Sequence, residues 1–136
     1  MTYVDANVFI FAAVDPGELG QAARQILAQI IRGKLPATTS ALTYDEVVWG
    51  IRKAFDKEKS YLAGELFLQL PHLLIQEANR KVVMEAHHLM KHHNLKPRDA
   101  IHLATMSVTN EKHIISEDPD FDHLLGIVRI PLLQFQ

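Results

Sequence analysis

Apolar residues follow two spacings along this chain, and the two alternate. Between residues 18 and 33 they recur every three or four positions, which predicts an amphipathic helix that Gly33 ends. The same spacing predicts helices that begin at Ser40 or Thr43, over residues 60–70 and 79–93, and after Pro97. Short apolar runs predict strands at Tyr3 and Val4 and over residues 35–39, 73–75, 113–116 and 126–130.

Strands that alternate with helices predict an α/β fold with a parallel sheet, in which the first strand is central and the last is an edge strand. The carboxyl ends of parallel strands meet at one edge, where ligands bind. Asp5 follows the first predicted strand, and Asp118 follows the fourth. Glu46 and Asp99 lie in the first turns of helices that start at the same edge. The topology therefore brings four acids together.

Each of these acids also has a local interpretation. Asp5 and Asp118 are suitable helix caps, and Asp99 suits a helix N-terminus. Thr43 and Glu46 match a capping box, in which the Glu side chain folds back onto the backbone. Capping explains each acid singly and leaves their convergence unexplained.

The four acids have few basic neighbours in the sequence, since only Arg98 adjoins one of them. Clustered carboxylates repel by about 4 kcal/mol per pair at about 4 Å and an effective dielectric near 20. A divalent cation relieves this repulsion. Oxygen ligands without cysteine favour Mg²⁺ or Mn²⁺.

The histidines of the predicted helix 79–93 suggest a second metal hypothesis, because His88 and His92 are one turn apart. They share a polar stripe with Lys81 and Glu85, opposite the apolar face, and no H-E-x-x-H motif is present. A solvated helix face is the favoured interpretation.

Composition bounds the class of protein. A chain of 136 residues, 48% hydrophobic and 22% charged, suits one globular domain. The absence of cysteine, of a signal peptide and of a long apolar run predicts a cytoplasmic protein that does not enter the membrane. The net charge of -2 argues weakly against a nucleic-acid binder, although basic residues cluster at Arg52 and Lys53, at residues 57–59, and at Lys96 with Arg98.

Four segments together resemble the PIN-domain ribonucleases, in particular the VapC-type toxins of toxin–antitoxin pairs. They are Val4-Asp5-Ala6-Asn7-Val8, Thr43-Tyr44-Asp45-Glu46-Val47, Pro97-Arg98-Asp99-Ala100-Ile101-His102-Leu103-Ala104 and Ile115-Ser116-Glu117-Asp118-Pro119-Asp120-Phe121-Asp122. The resemblance covers essentially the whole chain and implies one PIN-like domain over residues 1–136. It implies an α/β/α sandwich with a short parallel sheet.

The resemblance also implies an activity, metal-dependent hydrolysis of RNA. In that activity Asp5, Glu46, Asp99 and Asp118 are the catalytic acids, and Asp5, Asp99 and Asp118 hold the metal. Asp118 and Asp120 lie in the same segment, and we select Asp118 as the fourth acid. Asn7 and Ser116 are auxiliary polar groups. Arg52, Lys53 and Arg98 are candidate phosphate contacts. The family further implies a homodimer and a small antitoxin partner.

Two other classes of function remain alternatives. One is a phosphatase-like α/β domain that uses Asp5 as a nucleophile, although Asn7 stands where the haloacid-dehalogenase pattern needs a second Asp. The other is a catalytically inactive PIN-like module that binds RNA or protein. A Rossmann dinucleotide site is disfavoured because no glycine-rich loop follows the first strand. RNA cleavage that needs Mg²⁺ or Mn²⁺ and stops with EDTA separates these classes.

Overall fold

Five parallel strands form one sheet in the order β3-β2-β1-β4-β5, which confirms the predicted α/β fold with a central first strand. The computed structural model describes residues 1–124 and 126–135. The strands are β1 (Thr2–Val4), β2 (Ala37–Ser40), β3 (Leu73–Gln76), β4 (His113–Ile115) and β5 (Val128–Ile130).

In the part of the chain that the structure describes, six α-helices cover the two faces of this sheet. They are α1 (Ala6–Val14), α2 (Glu18–Ile31), α3 (Leu42–Ala54), α4 (Lys57–Leu68), α5 (Arg80–His93) and α6 (Pro97–Val108), with short 3₁₀ helices at Pro119–Phe121 and Leu132–Gln134. Helix α2 ends where predicted, because Gly33 adopts a left-handed φ of 75° just beyond it. Helix α4 begins before the predicted residue 60, because the carboxylate of Asp56 accepts a hydrogen bond from the backbone N–H of Lys59.

Side chains alternate across the sheet and divide the core into two layers. Val4 and Ile115 pack with helices α1 to α4, whereas Tyr3 and Ile114 pack with Met106 of α6 on the other face. Helices α5 and α6 pack on each other through small residues such as Ala86, Ala100 and Ala104. The result is a three-layer α/β/α sandwich.

Helix α5 presents its histidines to solvent. His88 and His92 are both exposed, with ring centroids 4.2 Å apart, as the polar stripe predicts. Val83 of the same helix, although apolar, is 47% exposed. Among the described residues, none of the helices combines the length and apolar character that a membrane span needs.

The register of β1 and β4 brings the candidate site to one edge. Val4 pairs with Ile115, and the backbone N–H of Asp5 donates to the carbonyl of Ile115 at 3.1 Å. Asp5 and Ser116 therefore leave adjacent strands side by side. Helix α1 begins directly after Asp5, so the helix start and the strand end meet at this carboxylate.

Candidate metal centre

Asp5 is both a helix cap and a link between two strands. One of its oxygens, Oδ1, accepts from the backbone N–H of Ala6 at 2.7 Å, which caps α1. The other, Oδ2, accepts from the Ser116 hydroxyl at 2.6 Å and from the Asn7 amide at 3.1 Å. These bonds fix a carboxylate that is only 7% exposed. Burial raises the pKa of Asp5, and the neighbouring His102 and the Ser116 hydrogen bond oppose that rise.

Asn7 and Ser116 contact each other as well as Asp5. The Asn7 amide nitrogen lies 3.2 Å from the Ser116 hydroxyl oxygen, and that hydroxyl also accepts from the backbone N–H of Asp118 at 3.0 Å. The structure thus brings both predicted auxiliary residues into contact with Asp5. Ser116 joins the end of β4 to the loop that carries Asp118.

The capping-box interpretation of Glu46 is wrong. The cap position of α3 is Ala41, which makes no side-chain capping bond, and the Thr43 hydroxyl lies 2.7 Å from the Thr39 hydroxyl instead. Glu46 points away from its own helix terminus, and its Oε1 lies 2.5 Å from Nε2 of His102 on α6. A tertiary hydrogen bond therefore replaces the local one.

His102 is the site residue that the sequence analysis did not single out. Its ring is 1% exposed and lies between Tyr3 and Glu46. Nδ1 is 2.6 Å from the Tyr3 hydroxyl, and Nε2 is 3.9 Å from Oδ1 of Asp5. A usable signal was present in the sequence, because His102 interrupts the apolar run from Ala100 to Ala104 and shares a helix face with Asp99, three residues earlier.

The carboxylates around His102 determine its protonation. Burial lowers the pKa of His102, but the hydrogen bond to Glu46 and the charges of Asp5, Glu46 and Asp99 together raise it above the usual value. Burial, with the charge of Asp5, also raises the pKa of Tyr3, so its hydroxyl keeps its proton. The raised pKa favours the cationic form of His102, whose charge opposes that of the acids around it.

Asp99, Asp118 and Asp120 form a second acidic group. Each offers a carboxylate oxygen, and these oxygens lie within 4.8 Å of one another. Asp118 caps the 3₁₀ helix by accepting from the backbone N–H of Asp120 at 2.9 Å, as its position before Pro119 predicts. Asp99 lies in the first turn of α6, as predicted.

Electrostatic interaction couples the two acidic groups. Burial, together with the charges of Asp118, Asp120 and Asp5, raises the pKa of Asp99 to about 6. His102 acts in the opposite direction. Asp99 therefore lies close enough to Asp5 and His102 to interact with both.

The basic residues that the sequence singled out do not pair with the four candidate catalytic acids. Arg98 is 3.9 Å from Asp45, and Lys96 is 3.9 Å from Asp120. Arg52 and Lys53 are exposed in the last turn of α3. Within residues 1–124 and 126–135, no Lys or Arg forms a salt bridge with Asp5, Glu46, Asp99 or Asp118.

The available donors suit a hard divalent cation. Carboxylate oxygens are the ligands that Mg²⁺ and Mn²⁺ prefer. The atoms of Asp5, Glu46 and His102 also lie within 4.8 Å of one another, which makes His102 a geometric candidate for a ligand. Its two ring nitrogens already face Tyr3 and Glu46, however, so neither has a lone pair directed at the cluster. The oxygen donors alone fit the ion.

The sequence from residue 2 to residue 125 matches the model of the PIN domain family. The chain therefore belongs to the PIN domain family, which confirms the resemblance noted from the sequence. No curated protein sequence gives a significant match.

Solved structures of similar fold come from three bacteria. A chain of a toxin–antitoxin complex from Klebsiella pneumoniae is 23% identical, with a TM-score of 0.66, covering 94% of this chain and 96% of its own. VapC20 from Mycobacterium tuberculosis, described as a sarcin–ricin loop cleaving toxin, has 16% identity and a TM-score of 0.79 over 96% of this chain and 98% of its own. FitAcB from Neisseria gonorrhoeae has 16% identity and a TM-score of 0.71 over 99% and 100%. These similarities establish a shared fold.

Proposed function

We propose that this PIN-domain protein is an endoribonuclease that hydrolyses RNA phosphodiester bonds with Mg²⁺ or Mn²⁺, as the toxin of a toxin–antitoxin pair. The observation that carries the proposal is a pair of acidic groups, Asp5 with Glu46 and Asp99 with Asp118, whose charges interact through Asp99. Among the described residues, none of these four acids has a Lys or Arg salt-bridge partner. Folding such acids together is costly, and an ion offsets the cost. The nuclease character of the PIN family and the toxin neighbours agree with this function.

In this proposal each acid has a separate task. Asp5, Asp99 and Asp118 hold the ion, and Asn7 and Ser116 hold Asp5 in place. Asp120 is more exposed and pairs with Lys96, so Asp118 remains the assigned ligand. A bound Mg²⁺ or Mn²⁺ supplies Lewis acidity and a water of lowered pKa. Glu46 faces the cluster as an acid that orients water or completes the ligand set.

The RNA would be held through exposed cations on the two helices that carry Glu46 and Asp99. Arg52 and Lys53 follow Glu46 on α3, and Arg98 directly precedes Asp99. The Lys53 ammonium lies 5.7 Å from the centre of the exposed Trp49 ring. Basic groups bind the phosphate backbone irrespective of sequence, and an exposed aromatic ring can stack on an unpaired base.

The cleavage test compares a metal ligand with a matched capping residue. Asp118→Asn keeps a side-chain oxygen for the Asp120 N–H, and Asp56→Asn makes the same change at the cap of α4, outside the cluster. The parent and the Asp56 variant should cut single-stranded RNA with Mg²⁺ or Mn²⁺ and fail with EDTA. The Asp118 variant should lose cleavage. Cutting that persists in EDTA, or at full rate in the Asp118 variant, contradicts the proposal.

An antitoxin partner fits an apolar cleft between helices α1 to α4. The cleft has a volume of about 490 Å³, and Phe55, Leu62 and Leu66 are exposed along its rim. Complexes with a partner protein are known for several neighbours, including the pair from Klebsiella pneumoniae. We expect a small DNA-binding protein encoded beside this chain to co-purify with it. Leu66→Asp should weaken that capture, whereas Met84→Asp, on exposed α5, should not.

Homodimer formation is a separate part of the proposal. Tyr61 and Leu68 of α4 are 53% and 58% exposed and do not line the cleft. Phe67 of the same helix is a core residue at 3% exposure. We propose that a second copy covers Tyr61 and Leu68.

A further inference from the structure

Three polar side chains from three elements form a buried chain that ends at Glu46. The Tyr3 hydroxyl of β1 is 2.6 Å from Nδ1 of His102 on α6, and Nε2 of the same ring is 2.5 Å from Oε1 of Glu46 on α3. Tyr3 is fully buried and His102 is 1% exposed. The two residues occupy space in which apolar side chains would pack without needing hydrogen bonds.

The chemistry of the two groups sets the direction of the bond between His102 and Glu46. An ionised carboxylate only accepts hydrogen bonds, so Nε2 of His102 carries the proton that faces Oε1. Tyr3 satisfies the other nitrogen and holds the plane of the ring. Among the described residues, the second oxygen of Glu46 makes no hydrogen bond, and the side chain keeps 18% of its surface exposed. Glu46 is therefore held by one oxygen and free at the other.

We propose that His102, supported by Tyr3, is a positioning residue that holds one oxygen of Glu46 so that the other can orient the attacking water. The inference rests on the proposed ribonuclease function and assigns Glu46 to the water rather than to the metal. A similar arrangement is common around metal sites, where a hydrogen-bonded partner fixes a ligand or an acid, and its loss typically reduces activity or metal affinity by about 10- to 100-fold.

The test uses variants that separate the hydrogen bond from the packing. His102→Leu fills the space without a donor, and His102→Gln supplies an amide N–H near the position of Nε2. The kcat at saturating RNA, the Kd for Mn²⁺ by electron paramagnetic resonance and the melting temperature are measured for each. His102→Leu should lower kcat by about 10- to 100-fold with the Mn²⁺ Kd within about threefold of the parent. His102→Gln should recover most of that loss.

A double-mutant cycle tests whether His102 acts through Glu46. In a Glu46→Gln background, His102→Leu should lower kcat by no more than about twofold, because the carboxylate that it positions is already absent. Tyr3→Phe should lower kcat less than His102→Leu does, since the ring keeps its bond to Glu46. Tyr3→Phe and His102→Gln, neither of which contains the Leu substitution, keep the test decisive if His102→Leu does not fold.

Three results would overturn the inference. A tenfold or greater rise in the Mn²⁺ Kd in both His102 variants would make His102 a ligand. Equal losses in the Leu and Gln variants, unchanged in the Glu46→Gln background, would indicate a purely structural residue. Full kcat in His102→Leu would remove the role altogether. A parent protein that binds Mn²⁺ but cuts no RNA would instead refute the proposed function, and the catalytic role of Glu46 with it.

Discussion

Replacing Asp99 with Asn removes a carboxylate whose ionisation opposes folding. Asp99 lies in the first turn of α6 beside Asp118 and Asp120, and burial with these charges raises its pKa from 3.8 to about 6. The folded state therefore binds the Asp99 proton more tightly than the unfolded state does. Asn has nearly the same shape and no charge, so it removes the cost of ionisation and the metal ligand together.

The size of the effect follows from linkage. The full shift from 3.8 to about 6 would cost the ionised folded state roughly 3 kcal/mol. Solvent screening of this half-buried group reduces that cost to about 1 to 2 kcal/mol. The Asn variant also loses the interaction of the Asp99 charge with the helix dipole, which cancels about 0.3 to 1 kcal/mol of the gain in stability. We therefore expect the metal-free Asn variant to melt up to about 5 °C higher at neutral pH.

The dependence on pH has a definite sign. Below a pH of about 3.8 Asp99 is protonated in both states, so the variant loses its advantage. The destabilisation of the parent develops as pH rises and is complete above the folded pKa of about 6. The gap in melting temperature between variant and parent should thus widen between about pH 4 and pH 7.

The assay is thermal melting of both proteins with EDTA and with Mn²⁺, from about pH 4 to pH 8. At about 100 times its Kd, Mn²⁺ should add about 2.7 kcal/mol to the parent and much less to the variant. Asp45→Asn is the control, because Asp45 is an exposed acid in the first turn of α3. An Asp99 variant that is less stable at neutral pH, with the same response to Mn²⁺ as the parent, would refute the reasoning.

Three further predictions concern other parts of the molecule. Hydrogen bonds from Arg129 lower the pKa of Asp122. Thermal melting followed by circular dichroism should therefore show that Asp122→Asn melts below the parent at pH 7, and the difference should disappear as pH falls through the lowered pKa. A loss of stability that persists in acid would contradict this prediction. Replacing Arg52 and Lys53 with Ala should raise the KM for RNA severalfold, with little change in kcat, and should weaken the dependence of KM on salt. The control Lys112→Ala, at the amino end of β4, should leave KM unchanged. Equal effects of the two changes would contradict the assignment of Arg52 and Lys53 as phosphate contacts. Sedimentation at tens of micromolar should show a dimer, and a monomer would contradict that prediction.

Much of the fold, and the position of Asp5 and Asp118 beyond the ends of two adjacent strands, could be predicted from the sequence. Alternating helices and strands require a parallel sheet, and a parallel sheet places the groups that follow its strands at one edge. This reasoning located Asp5 and Asp118 without any knowledge of side-chain packing. The capping interpretations of both residues were also right, and Asp5 in addition accepts hydrogen bonds from Asn7 and Ser116.

His102 could not be found in the same way. A single histidine in an apolar helical run is usually a core residue, and its partners Tyr3 and Glu46 are 99 and 56 positions away in the sequence. The separation of Glu46 and His102 along the sequence also explains why the capping-box interpretation of Glu46 is wrong. A local motif with Thr43 matched a capping box, but a short bond to a residue on another helix determined where the side chain points. Such contacts depend on tertiary packing rather than on spacing.

The central claim is that the acids at the carboxyl edge of the sheet form a metal site. Its most direct test is anomalous diffraction from crystals of the protein soaked in Mn²⁺. The account predicts an anomalous peak bound by carboxylate oxygens of Asp5, Asp99 and Asp118, with His102 still hydrogen-bonded to Glu46 and outside the coordination shell. A peak bound by His102, or no peak near Asp99 at Mn²⁺ concentrations that support RNA cleavage, would contradict it.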